Sequence, residues 1–247
     1  MKTFGLLGYP LSQSFSQKYF TGKFDRENID ARFLNFELPD ISEFLAMLEH
    51  HAYIAGLSVT IPYKEQIFNF LDEVDSQARE IGAVNCVRIH WVDKKPFLKG
   101  YNTDLLGFTN SLKPLLGPQH TKALVLGTGG AAKAVAHALR LLGISFRYVS
   151  RQPQGTNHVS YADIDEAIME EYKLIVNCTP LGMFPKVDNC PDIPYQFATS
   201  DHLFYDLTYN PENTLFMQNG AKYGAVTKNG LEMLHLQAEA AWKHWNE

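Results

Sequence analysis

Along this chain, apolar runs of four to eight residues alternate with stretches whose apolar positions recur every three or four residues. The first pattern predicts strands buried in a sheet, and the second predicts helices laid against it. In the first hundred residues "TFGLLG" (3–8), "ARFLNFEL" (31–38) and "AGLSVTI" (55–61) read as strands. The segments 16–28 and 41–51 read as helices, with Phe44, Leu45 and Leu48 on one face of the second. Asp40 or Ser42 is its expected cap, with Glu43 in reach of a capping box. "VNCVRIHW" and "PFLKGYN", parted by the polar "VDKK", read as a hairpin.

A second series starts near Asp104. "KALVLG" is a buried-strand pattern, and "GGAAKAVAHALRLLG" is a helix ended by Gly143. "FRYVSR", "LIVNC" and "HLFYDLTY" follow as strands, with the acidic helix "DIDEAIMEEY" after the first of them. "GLEMLHLQAEAAWKHW" is a further helix, with Leu231, Leu234, Ala238, Ala241 and Trp245 near one face. Alternating βα units predict an α/β protein with mostly parallel sheet, and two series predict two lobes.

Composition narrows the class. The chain has 247 residues, 45% apolar and 20% charged, ordinary for a globular protein. A net charge of −5 offers no general attraction to nucleic acid or an anionic membrane. The three cysteines have no CxxC or metal-ligand spacing, and an odd count excludes a fully paired set, so a reducing, cytoplasmic setting is expected. The opening residues lack the pattern of a signal peptide, and no apolar run approaches the roughly 20 residues of a membrane helix. No metal site is visible.

Two constellations carry chemistry. "LVLGTGGAAKAV" places Gly127, Gly129 and Gly130 between an apolar strand and a helix. Such a turn lets backbone N–H groups approach a diphosphate at the positive end of the helix, and GxGGAA is a variant of the dinucleotide fingerprint. The following strand ends at Ser150 and Arg151 with no carboxylate. An NAD site usually puts Asp or Glu there for the ribose 2′-hydroxyl, whereas arginine accommodates a 2′-phosphate. That favours NADP. In the first lobe and at the handover, Thr60, Lys64, Asn85, Asn102 and Asp104 fall at strand ends or turns, where open α/β sheets bind ligands. Hydroxyl and amide groups suit a small polyhydroxylated acid, and a Lys–Asp pair can move the proton that reduction of a ketone requires.

With these motifs in order, the sequence resembles the shikimate dehydrogenase family over nearly its whole length. "GYPLSQSFS" is similar to the family's opening motif and implies Ser14 and Ser16 on the substrate carboxylate. "SVTIPYKE" implies Thr60 as a substrate ligand and Lys64 as the catalytic lysine; "IGAVNC" implies Asn85 on a hydroxyl; "GYNTD" implies Asp104 as the lysine's partner. "GTGGAAKAV" and the strand-end "SR" imply a nucleotide site at Gly127, Thr128, Gly129, Gly130, Ala131, Ser150 and Arg151. "VNCTPLGM", "YDLTYNP" and "NGLEMLHLQA" imply Asn177, Thr179, Leu207 and Gly230 near the cofactor, with Tyr209 and Gln237 near the substrate. The implied architecture is a substrate-binding lobe, 1–103, completed by the helix 231–247, with a Rossmann-like NADP-binding domain, 104–230, inserted. The implied reaction is reversible NADPH-dependent reduction of 3-dehydroshikimate to shikimate. Tyr9, Gln13 and Gln17 depart from the family's usual residues, and "QPQG" after Arg151 lacks a further basic residue.

Three other readings stand beside this one. A quinate/shikimate dehydrogenase using NAD or NADP shares the motifs, and assays with each acid and nucleotide separate them. A non-catalytic NADP-binding regulator would lack a proton-transfer pair. A methyltransferase would leave the first hundred residues unexplained. A monomer and a homodimer are equally compatible with the sequence.

Overall fold

The computed structural model describes residues 1–11, 15–51 and 53–247. The chain divides into two compact units, Met1–Thr103 with Ala238–Glu247, and Asp104–Gln237.

The first unit contains β1 (Lys2–Gly8), α1 (Phe15–Glu27), β2 (Ala31–Glu37), α2 (Phe44–His50), β3 (Ile54–Val59), β4 (Glu73–Val74), α3 (Ser76–Ile81), β5 (Cys86–Val92) and β6 (Lys95–Tyr101). They build one sheet in the order β2-β1-β3-β5-β6-β4. β1 runs parallel to β2 and β3, and β4 runs parallel to β6, whereas β5 is antiparallel to β3 and β6. β1 is buried on both faces, and its alternation serves two cores. Phe4 and Leu6 join an aromatic cluster on one side, and Leu7 joins an aliphatic one on the other. In the aromatic cluster Phe20 stacks on Phe33 at 4.9 Å and Phe4 on Trp245 at 5.1 Å between ring centroids. Such pairs add about 0.5–1.5 kcal/mol each beyond the area they bury. Gly56 in β3 is glycine for a packing reason: a methyl there would enter the indole of Trp245.

The helix predicted over 41–51 differs in phase from its expectation. A 3-10 turn, Ile41–Glu43, precedes α2, with Asp40 accepting the Ser42 N–H at 2.8 Å. That tighter turn, three residues per revolution, offsets the later face. Leu45 is therefore 49% exposed, and Met47 takes its inward place beside Phe44 and Leu48.

The second unit contains α4 (Asp104–Leu112), β7 (Lys122–Leu126), α5 (Gly130–Leu141), β8 (Ser145–Val149), β9 (His158–Val159), α6 (Glu166–Glu171), β10 (Leu174–Asn177), β11 (Leu203–Asp206), α7 (Leu215–Ala221), β12 (Val226–Lys228) and the start of α8 (Leu231–Trp245). The acidic helix is shorter than its pattern because Asp165 caps it, accepting the Ile168 N–H at 2.9 Å. The sheet order is β12-β11-β10-β7-β8-β9, and every pairing is parallel. β10 and β11 are buried along their whole length, as strands covered on both faces must be. This is the doubly wound order of a dinucleotide-binding sheet, and its direction reverses between β7 and β10. The α/β class with mostly parallel sheets and a Rossmann-like unit is borne out. Among the described residues no helix is long and apolar enough to cross a membrane.

Candidate active site

In the first unit the polar candidates converge on one end of the sheet. β1 and β3 end side by side, and the Thr60 N–H donates to the Leu7 carbonyl at 2.9 Å. The chain then turns over Thr60, whose carbonyl accepts the Tyr63 N–H. Tyr63 is 3% exposed, and its hydroxyl donates to the Leu38 carbonyl at 2.5 Å. Lys64 follows directly; its carbonyl accepts the Val84 N–H at 2.7 Å, and its side chain is half-buried. The backbone that carries Thr60 and Lys64 is thus tied to β1, to the end of β2 and to the approach to β5. A site mounted this way keeps its geometry when a ligand arrives.

Asn85 lies at the same end. Its carbonyl accepts the Val59 N–H, and its N–H donates to the Tyr101 carbonyl. Its buried amide bonds Thr103, taking the Thr103 N–H at 2.7 Å and donating to the Thr103 hydroxyl at 3.0 Å. Asn102 is used as a tie: its amide donates to the Ala83 carbonyl at 2.8 Å. Ser16 is buried in the first turn of α1, and the neighbouring Gln17 accepts from the Asn35 amide at 3.0 Å. Ser14 lies outside the described residues.

Asp104, the first residue of α4, is buried in the second unit. Gly107, one turn on, lets α4 approach α8. A methyl there would sit 2.6 Å from the Met233 carbonyl oxygen and 3.1 Å from Cβ of Gln237. Gln237 is buried and donates to the Leu234 carbonyl at 3.1 Å, and Tyr209 is half-buried.

The nucleotide candidates gather where the second sheet reverses direction. Gly127 follows β7 with φ of +107°, a conformation that side chains rarely adopt. Its N–H donates to the Val149 carbonyl, and a methyl on it would meet Thr179 Cγ2 at 3.3 Å. Thr128 and Gly129 are exposed, Gly130 and Ala131 half-buried, and Gly129 caps α5 with open space around it. Backbone N–H groups here are therefore accessible to a diphosphate. Ser150 and Arg151 directly follow β8; the Ser150 hydroxyl oxygen is buried with no hydrogen-bond partner, and Arg151 is exposed. An unsatisfied hydroxyl beside a solvent-facing guanidinium, with no carboxylate between them, fits a 2′-phosphate. The residues present fit NADP.

Asn177 ends β10, fully buried, and its amide oxygen accepts the Thr179 N–H at 3.0 Å and the Thr179 hydroxyl at 2.6 Å. Leu207 follows β11, and Gly230 is a close-approach glycine: a methyl there would collide with the Leu207 backbone. The sequence reading missed Asp206. This carboxylate is fully buried and accepts the Asn177 amide at 3.1 Å, the Thr208 N–H at 2.9 Å and the Thr214 hydroxyl at 2.6 Å. Burial pushes its carboxyl above the ordinary value, against the pull of those hydrogen bonds. The available signal was an acid at the inner end of the apolar run "LFYD", where nothing else explains a charge.

A doubly wound sheet with this glycine turn, in one chain with a unit presenting a lysine from a rigid strand end, defines the class: a dinucleotide-dependent oxidoreductase. Comparison with known proteins identifies which kind. The profile of the shikimate dehydrogenase substrate binding domain matches residues 6–87. Shikimate dehydrogenase (NADP(+)) of Carboxydothermus hydrogenoformans is 37% identical over 259 residues, covering 99% of this chain and 91% of the relative. That of Desulforamulus reducens is 35% identical over 261 residues, covering 98% and 88%. The crystal structure of shikimate 5-dehydrogenase from Thermus thermophilus, in complex with NADP(H) and shikimate, superposes with a TM-score of 0.85 at 30% identity, covering 99% of this chain and 93% of that one. The chain belongs to the shikimate dehydrogenase family.

Proposed function

We infer that this protein catalyses the reversible NADPH-dependent reduction of 3-dehydroshikimate to shikimate, in the biosynthesis of chorismate and the aromatic amino acids. The observation that carries the reading is the strand end of the first unit, where the family's lysine stands on a backbone braced from three sides. Full-length similarity to NADP-dependent members of the family, and Arg151 in place of a strand-end acid, support the cofactor.

NADPH, when bound, supplies the hydride. The chain supplies binding, alignment and the proton. Ser14, Ser16, Thr60, Asn85, Tyr209 and Gln237 are assigned to the substrate, the serines to its carboxylate and Asn85 to a hydroxyl. Lys64 protonates the oxygen formed at the reduced carbon, and Asp104 is the second member of the proton-transfer pair. In the reverse direction Lys64 takes that proton from the hydroxyl. Backbone N–H groups from Gly127 to Ala131 serve the diphosphate, Ser150 and Arg151 serve the 2′-phosphate, and Asn177, Thr179, Leu207 and Gly230 line the remainder. Ser14, Ser16, Thr60, Lys64 and Asn85 of this reading belong to the first unit, and Asp104, Tyr209, Gln237 and the nucleotide residues to the second. The reading places the protein in the cytoplasm, and its working form is a monomer or a homodimer.

The test is NADPH oxidation in the presence of 3-dehydroshikimate, with NADH run in parallel and quinate with NADP+ as a second substrate arm. Turnover with NADPH and 3-dehydroshikimate, much slower with NADH or quinate, is the expected result. Turnover with quinate at a comparable rate replaces the substrate assignment, and no turnover by folded protein overturns the reading.

A further inference from the structure

Asp206 lies in "YDLTYNP" but has no role assigned above, and its buried carboxylate accepts three hydrogen bonds at the nucleotide end of the second sheet. Its oxygens divide the work. Oδ1 accepts the Asn177 amide at 3.1 Å and the Thr208 N–H at 2.9 Å, and Oδ2 accepts the Thr214 hydroxyl at 2.6 Å. A carboxylate only accepts, whereas the Asn177 amide can present either its oxygen or its NH2 group. Facing Asp206, the amide is held with NH2 inward. Its oxygen is then turned toward Thr179, taking both the N–H and the hydroxyl. Were the amide reversed, NH2 would face the Thr179 N–H and oxygen would face carboxylate, a double repulsion inside a dry site. Thr179 in turn lies against Gly127, where a methyl would meet its Cγ2 at 3.3 Å.

We propose that Asp206 is the positioning residue of the nucleotide site, fixing the Asn177 amide and through it the Thr179 turn against the Gly127 turn. The proposal rests on the NADP reading above. It assigns Asp206 no contact with substrate or cofactor. Its effect is to keep two loops, from β7 and β10, in the one arrangement that leaves the glycine N–H groups facing out.

The test is a fluorescence titration of NADPH against the full-length protein, with melting temperatures measured alongside. Asp206→Ala is expected to raise the dissociation constant about tenfold or more, the scale of a lost buried hydrogen bond to a charged group. KM for NADPH should rise in parallel, with KM for 3-dehydroshikimate within about twofold of wild type. Asp206→Asn should restore binding, because its oxygen still meets Asn177 and Thr208 while its NH2 faces the Thr214 hydroxyl. Thr214→Val cuts only the Oδ2 side; it should lower the melting temperature and leave NADPH affinity within about twofold.

An unchanged dissociation constant in Asp206→Ala overturns the proposal. So does an equal loss of affinity in Thr214→Val with a melting temperature lowered as far as in Asp206→Ala, which would make the network a matter of stability alone. Should Asp206→Ala fail to fold, Asp206→Ser, which keeps a polar group but not the paired acceptors, is judged by the same constant. Wild-type protein that binds no NADPH overturns this proposal and the cofactor reading together; normal wild-type binding with normal Asp206→Ala binding overturns this one alone.

Discussion

The two strand-end sites solve opposite problems. In the first unit the proposed functional groups are side chains, Thr60, Lys64 and Asn85, and the backbone is the fixture that holds them. In the second the proposed functional groups are backbone N–H groups at the Gly127–Gly130 turn, and buried side chains are the fixture. The first site is therefore vulnerable to removal of atoms and the second to their addition. A lysine can be cut back without moving a strand, whereas a methyl on Gly127 is strained by its φ of +107° and crowds Thr179.

That contrast is open to direct attack. The largest expected effect is Lys64→Ala, which should reduce turnover about 10²–10⁴-fold by removing the general acid. NADPH affinity, measured by fluorescence, should stay within about twofold. Loss of both together would mean that the lysine is a structural post rather than a proton donor. Gly127→Ala comes next. A side chain at φ of +107° costs on the order of 1–3 kcal/mol, and the new methyl crowds Thr179, so NADPH should bind roughly tenfold more weakly. Turnover at saturating NADPH should persist, and a variant that binds NADPH normally would remove the case for a tight cradle. The smallest effect is expected of Arg151→Ala, because the guanidinium is exposed and its charge is partly screened. KM for NADPH should rise several-fold with KM for NADH unchanged, narrowing the preference between the two. A parallel rise for both nucleotides would show that Arg151 does not read the 2′-phosphate.

The same contrast explains what could be read from sequence. Strands such as β10 and β11 are covered on both faces, so their apolar runs are unbroken and their places are plain. β4 and β9 are two residues long, set by their neighbours rather than by any pattern of their own. The apolar spacing puts Leu45 on one face with Phe44 and Leu48, whereas in α2 Met47 takes the inward place and Leu45 is exposed. At the sites, Thr60, Lys64 and Gly127 are legible because each lies in a short motif that is complete in itself. Asp206 is not. Its partners lie 29, 2 and 8 residues away along the chain, and only the folded sheet makes them a set.

The first unit's aromatic core has a consequence for how the chain is made. Phe4, Phe20, Phe24 and Phe33 are sealed by Trp245 and flanked by Trp242. Across the same seam Lys23 is paired with Glu239, and Tyr19 donates to Glu239. These closing residues are separated from the first hundred by the whole second unit. At common elongation rates that interval is on the order of ten seconds. During it Trp242 and Trp245 are not yet made, and Phe4, Phe20, Phe24 and Phe33 lack their cover. The lobe that is synthesised first is thus the last to be finished.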